Sequence, residues 1–260
     1  MTNAEEQPLR ELVAASLNEA ERAWNQARPL MEKSAVRMDS AGGMQTTIPG
    51  YKIIIDGKPE VDTFICMAID MRNSSEHLMQ AISIKKARVS QLERVFYETS
   101  ALLPAAALVI DNHGGKVTEY LGDGALGMFL ARGEGEDRNE IVRTVYQAAS
   151  SCLDCVDEIV NQELNLRYKL PPLRVGIGLA FSRAVITAVG LQGNRLPKVV
   201  GECVYRATKL CKGDNEIIVD SRLMAIWPSS VGGKLQFEPR VFKGSGGFRL
   251  DGFVVKRGVE

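Results

Sequence analysis

The spacing of hydrophobic positions changes several times along the chain, and each change marks an element. Leu9, Leu12, Val13, Leu17, Ala20 and Trp24 recur at helical spacing with charges between them. Residues 8–28 therefore read as an amphipathic helix whose stripe packs on the domain or on a partner copy. Residues 34–50 carry few large apolar side chains and include Ala41-Gly42-Gly43, which predicts a linker. Residues 1–50 form an N-terminal helical extension in this reading, and the folded domain runs over 51–260. Within it the pattern predicts a strand (Thr63 to Asp70), helices (Ser75 to Ile82, Val89 to Leu103, Ala105 to Asn112) and a hairpin (Val117 to Leu121 with Ala125 to Leu130). A long helix (Asp137 to Glu163), strands (Leu173 to Ala180 and Ala184 to Val189), a helix (Gly201 to Leu210), a strand (Glu216 to Val219) and two short C-terminal strands follow. Strands separated by crossover helices and antiparallel hairpins predict an α+β fold, a β-α-β-β-α-β core whose sheet is covered by helices on one side.

Composition narrows the partners. The chain has 260 residues, 45% of them hydrophobic, enough for one large domain with an ordinary core. Thirty-two basic residues balance 32 acidic ones, so no global field favours nucleic acid or an anionic membrane, and an anionic ligand must be held by a local cluster. No apolar run reaches the roughly 20 residues of a membrane helix, and the polar start lacks the regions of a signal peptide, which predicts a cytoplasmic protein. Five cysteines without a regular spacing read as reduced, buried thiols. Cys152-x-x-Cys155 lies inside a helical pattern with no second pair, so core packing is preferred there over zinc or redox chemistry, and His77 and His113 read as structural or exposed.

Two acids carry the chemistry. Asp70 ends the apolar run Phe64 to Ile69, and Asp123 lies in Tyr-Leu-Gly-Asp-Gly-Ala-Leu-Gly-Met-Phe (120–129). Each alone has a structural explanation, Asp-Gly as a hairpin turn signal and Asp70 as a cap. Together, an acid at a strand end and one in a following hairpin can converge on the same divalent ions, because hard cations take carboxylate oxygens and keep sites for phosphate. Asn73-Ser74-Ser75-Glu76 adds a capping residue with Glu three positions on, a helix start whose free N–H groups would receive phosphate.

With these motifs the chain resembles the class III nucleotide cyclases over roughly residues 63–255. Phe64-Ile-Cys-Met-Ala-Ile-Asp70 with Met71-Arg72-Asn73-Ser74-Ser75 resembles the first metal strand and its phosphate-binding turn, and Gly122-Asp123-Gly124 the second metal hairpin. Leu173-Arg-Val-Gly-Ile-Gly178 through Val189-Gly190 is similar to the family's central hairpin, and Val200-Gly-Glu-Cys-Val204 with Ala207 and Leu210 to the helix that bears its transition-state residues. The resemblance implies the class III cyclase fold, with a ferredoxin-like core, and a homodimer with composite active sites. It implies two divalent ions, Mn²⁺ or Mg²⁺, on Asp70, Asp123 and the Met71 carbonyl. The substrate would be a nucleoside triphosphate, cyclised by attack of its 3′ oxygen on the α-phosphorus. Arg72, Asn73, Ser74, Ser75 and Lys243 would contact its phosphates.

The departures from the family pattern bear on catalysis and on the base. Where the family has Asn and, four residues on, Arg, this chain has Tyr205 and Lys209, with Arg206 between them. Lys209 or Arg206 would then stabilise the transition state. The base-reading positions hold Glu119 and Lys198, a pairing that uracil, cytosine and guanine can all satisfy. The set Glu119, Lys198, Tyr205 resembles the pyrimidine cyclases of bacterial Pycsar antiphage defence, which implies UTP as substrate, or CTP, and a separate effector responsive to the cyclic nucleotide. A guanylate or adenylate cyclase and a degenerate nucleotide-sensing domain remain the alternatives.

Overall fold

The computed structural model describes residues 26, 44–79, 89, 91–191, 194–229, 233–243, 247 and 249–257. The amphipathic stripe at 8–28 lies outside the described residues apart from Gln26. Met44–Gln45 (β1) pairs with Ile53–Ile54 (β2), and Ile48, Tyr51 and Ile54 are buried against Phe64, so the described end of the expected linker is packed on the domain. Tyr51 donates its hydroxyl to Asp62 (2.8 Å), which also accepts from Arg132 Nε (2.6 Å) and fastens this hairpin to the sheet.

An eight-stranded sheet follows: β3 (Glu60–Met71), β4 (Lys116–Tyr120), β5 (Gly124–Leu130), β6 (Val175–Leu191), β7 (Asn194–Gly201), β8 (Glu216–Asp220), β9 (Leu235–Lys243) and β10 (Arg249–Arg257). The spatial order is β4-β5-β3-β6-β8-β10-β9, with β7 paired to β6. Its β6-β3-β5-β4 part is antiparallel throughout and is linked by helices after β3 and after β5. That is the expected ferredoxin-like β-α-β-β-α-β core.

Alternation along β3 sorts the two faces. Ile65, Met67, Ile69 and Met71 point toward α2 (Gln91–Asn112) and α3 (Glu136–Cys155), where Leu102, Ala106, Ile110, Val145, Ala149 and Cys152 join the main core. α3 runs on through a π-helical stretch, Val156–Val160, into α4 (Asn161–Tyr168). Phe64, Cys66 and Ala68 point the other way, beneath α5 (Glu202–Leu210), which buries Cys203 and Ala207 on them. Helices thus cover both faces, and the one-sided arrangement expected from the pattern is corrected. The period of α5 shows an apolar stripe but not which face receives it.

Two expected breaks are absent. α2 passes through Pro104 without interruption, because Leu102, Ala106 and Ile110 hold both halves on the sheet while the carbonyl left without a donor belongs to exposed Ser100. β6 runs unbroken through Phe181-Ser182-Arg183, since the buried Ser182 hydroxyl donates to the Arg183 carbonyl (2.8 Å) and accepts from the Cys203 N–H (2.9 Å). Ser182, in the expected gap between the two strands, is a cap supplied to α5 from a neighbouring strand. All five cysteines are free, and burial pushes the Cys152 thiol up to about 12, an unreactive state. No helix among the described residues is long and apolar enough to cross a membrane.

Candidate active site

Asp70 is the last outward residue of β3 on the α5 face, in register with Gly124 of β5 on one side and Gly176 of β6 on the other. Neither neighbour has a side chain, and the close approaches explain why. A Cβ on Gly124 would stand 2.6 Å from the Ile69 carbonyl oxygen and 3.1 Å from Asp70 Oδ1. Asp123 is brought beside Asp70 by the β4–β5 turn, closed by Leu121 N–H on the Gly124 carbonyl (2.8 Å) with φ +72° at Gly122. The turn is therefore centred on Gly122-Asp123, one residue earlier than the Asp-Gly signal suggests, with the positive φ that glycine takes freely. Gly124 is already strand.

The Asp70 carboxyl responds to its surroundings. Burial pushes the Asp70 carboxyl above the ordinary carboxylate value, Arg72 pulls it back, and Asp123 adds to the rise. Arg72 is ion-paired with Asp70. A half-buried acid whose strand partner directly follows a second acid, with a cation already on the first, fits a hard divalent ion that would take over that neutralisation. Asp70, Asp123 and the carbonyl of buried Met71 would hold it. Among the described residues no third His, Cys, Asp or Glu joins them, so the remaining ligands would come from phosphate or water.

The turn after Asp70 is fixed from two directions. Arg72 N–H donates to the Arg174 carbonyl (2.7 Å), and Asn73 takes φ +61° before α1 (Ser74–Met79). Asn73 still places its carbonyl on the first helical N–H, that of His77 (2.9 Å), but from the left-handed region rather than the extended one usual for a cap. Ser74 and Ser75 open the helix. α1 buries none of its residues and is held instead by His77 Nδ1 on the fully buried Glu98 (2.8 Å), which also accepts from Arg94 Nε (2.8 Å). His113 is structural as well, its Nδ1 on the Val109 carbonyl (2.8 Å).

Glu119 and Lys198, far apart in sequence, form an ion pair. The contact depends on a bulge, because the β4 register shifts between Val117 and Glu119 and turns Glu119 onto the face of Leu126 and Ala68. That is the Asp70 face. Two strands and two residues separate Glu119 from Asp70, about 12 Å at ordinary sheet spacings. On α5, Lys209 Nζ lies 5.7 Å from the centre of the Tyr205 ring, on the turn's exposed side. Arg206 points away from that pair. It donates to Glu202 (3.1 Å) and stands 3.9 Å from Asp220 Oδ2, an oxygen that is fully buried and accepts no hydrogen bond. Lys243 ends the edge strand β9, four strands from β3.

α5 reaches the sheet through glycines. A Cβ on Gly178 would lie 2.1 Å from the Ala207 carbonyl oxygen, and one on Gly176 would lie 2.2 Å from that of Cys211 and 2.5 Å from that of Gly213. The segment after α5 therefore rests on the strand position next to Asp70. Lys212 on that segment is close enough to act on the Asp70 carboxyl, a residue that the motif pattern does not single out.

No protein-family model and no curated protein matches the chain. Solved structures do. The guanylyl cyclase Cya2 superposes with a TM-score of 0.61 at 19% identity, covering 77% of this chain and 95% of that one. The adenylyl cyclase CyaB from P. aeruginosa gives 0.61 at 12% identity over 78% and 97% of the two chains. The guanylate cyclase domain of RhGC from Catenaria anguillulae, solved with GTP, gives 0.56 at 14% identity over 77% and 100%. At such identities the likeness speaks for the fold, and on that evidence this chain has the class III nucleotide cyclase fold.

Proposed function

We propose that the protein is a metal-dependent nucleotide cyclase that acts as a homodimer with composite sites and converts a pyrimidine nucleoside triphosphate, UTP before CTP, to the 3′,5′-cyclic nucleotide and pyrophosphate. The observation that carries this reading is the convergence of Asp70 and Asp123 on the sheet face that also bears the Glu119–Lys198 pair. One acid at a strand end has a structural explanation, whereas a second acid that adds to the rise of the first raises the energy of the empty site and points to a ligand.

Divalent ions, when bound, draw charge from the triphosphate and ease loss of the ribose 3′-hydroxyl proton. The chain's own groups do the rest. Arg72, released from Asp70, and the N–H groups of the Asn73-Ser74-Ser75 turn would hold phosphate oxygens. The Lys209 ammonium, kept on the solvent side of α5 by the Tyr205 ring, would neutralise charge growing on the α-phosphoryl group. Arg206 is occupied by Glu202 and Asp220 within its own chain, so Lys209 is the better candidate for that role. Glu119 and Lys198 would present an acceptor beside donors to the base edge, and the bulk of Tyr205 supports a smaller base. Val189, Leu191, Leu196 and Val200 expose apolar surface on the β6–β7 hairpin, which supports pairing with a second copy. The cyclic product would act on a separate effector, as the Pycsar resemblance suggests.

Incubation of the full chain with each of the four triphosphates and Mn²⁺, with mass detection of cyclic product, is the test. Cyclic UMP should dominate. A predominance of cyclic GMP or cyclic AMP would remove the pyrimidine assignment alone, and no cyclic product from any of the four would favour a nucleotide sensor. Mixing Asp70→Ala with Lys209→Ala chains should restore part of the activity by leaving one intact composite site. No recovery after proven subunit exchange would refute the composite arrangement.

A further inference from the structure

We propose that Lys212 is a polyphosphate-binding cation of the site, supplied by the same chain that supplies Asp70 and Asp123. The proposal rests on the cyclase reading above for the identity of the ligand, a nucleoside triphosphate or its leaving pyrophosphate, but the geometry stands by itself.

Lys212 is the middle residue of the tight segment Cys211-Lys212-Gly213, whose flanking carbonyls are seated on the bare backbone of Gly176. Gly176 is the register partner of Asp70. The segment cannot drift. Asn215 exchanges two hydrogen bonds with Val175, its side-chain oxygen accepting from the Val175 N–H (3.0 Å) and its own N–H donating to the Val175 carbonyl (2.8 Å). Asp214 pairs with Arg174 (2.6 Å), whose carbonyl accepts from the Arg72 N–H. The turn after Asp70, the start of β6 and the 211–215 segment are thus one bonded stack, with β6 in the middle and Asp70 paired to it.

The cations around this stack are not equivalent. Arg72 is paired with Asp70, Arg174 with Asp214, and Arg206 with Glu202. Lys212 is exposed and makes no ion pair or hydrogen bond among the described residues, and its segment is seated on the strand position paired with Asp70. A solvated ammonium carried on a fixed backbone segment next to the strand of Asp70 meets the requirement for an anion that binds there with cations of its own. The acids favour the metals, and Lys212 favours the oxygens that the metals leave uncovered. Lys209, on the helix itself, would in this arrangement serve the site of the partner, so the two lysines of one chain act at different sites.

The test uses the full-length chain as Lys212→Ala, Lys212→Gln and Lys212→Arg. Calorimetric binding of magnesium pyrophosphate should weaken about 10- to 100-fold for Ala and Gln, as expected for loss of a charge-assisted contact, and recover largely for Arg. Thermal melting should not move, because the side chain is exposed and unpaired. Unchanged pyrophosphate affinity in Lys212→Ala would overturn the proposal. Its same-chain placement has a separate readout: a mixture of Lys212→Ala with Asp70→Ala chains should stay as slow as Lys212→Ala alone, unlike the Lys209 mixture, because the surviving acids and the missing lysine share a chain. Restoration in that mixture would also overturn it. If the wild type cyclises no triphosphate but still binds pyrophosphate through Lys212, the cyclase reading fails and the binding assignment stands.

Discussion

Replacing Gly178 by Ala tests whether the bare backbone of β6 positions α5. The added Cβ would lie 2.1 Å from the Ala207 carbonyl oxygen and 2.7 Å from the Cys211 nitrogen, both backbone atoms that cannot rotate aside. To reach ordinary van der Waals contact the helix must retreat by about 1 Å or more, which loosens Cys203, Ala207 and Leu210 from their seats. Overpacking of this kind costs about 1–3 kcal/mol, and for a domain of this size each kcal/mol lowers Tm by about 2–4 °C. We expect Tm to fall by about 2–12 °C and, under the cyclase reading, kcat to fall by about 100-fold from displacement of Lys209 and Lys212. Gly127→Ala provides the comparison. Its Cβ would meet the end of the Ile110 side chain at 2.9 Å, a flexible group, so the loss should be smaller and activity nearly kept. Circular dichroism melts and a cyclic-nucleotide assay on both variants decide. A Gly178→Ala protein that melts and turns over like the wild type would refute the close-packing argument.

Asp70→Ala or Asp123→Ala should abolish turnover without lowering Tm, since the empty-site acids oppose each other; near-normal activity with Mn²⁺ in either would exclude the metal assignment. Arg206→Ala should destabilise by about 1–3 kcal/mol in urea melts, because it strips the nearest cation from the buried Asp220 oxygen, whereas Lys209→Ala should leave stability unchanged. The reverse ranking would reassign both. Arg240 (2.5 Å) and Lys256 (3.0 Å) hold Glu216 down to about 2, so its stabilisation is complete above the ordinary carboxylate value of 4.5 and is lost as pH falls from there toward 2. Glu216→Gln should therefore cost about 1–2 kcal/mol at pH 7, the solvent-screened share of that shift, and flatten the acid limb between pH 4.5 and 2. Parallel acid limbs in both proteins would count against it.

Local period was enough to determine most elements, because a strand or helix that buries one face writes that face into the sequence. The β3 run ending in Asp70, the β4–β5 hairpin and the α3 rod were all legible, and with them the α+β class and the two acids. What depends on partners distant in sequence was not. Pro104 and Ser182 look like breaks until the sheet under α2 and the N-terminus of α5 supply the contacts that keep the elements whole. The Thr118 bulge that brings Glu119 to Lys198, the engagement of Arg206 with Asp220, and the seating of Lys212 beside Asp70 arise from register and from glycine-limited approach of one backbone to another. The glycines of Arg174-Val-Gly-Ile-Gly178 were visible as letters, but only the helix lying on them says why a side chain cannot be there.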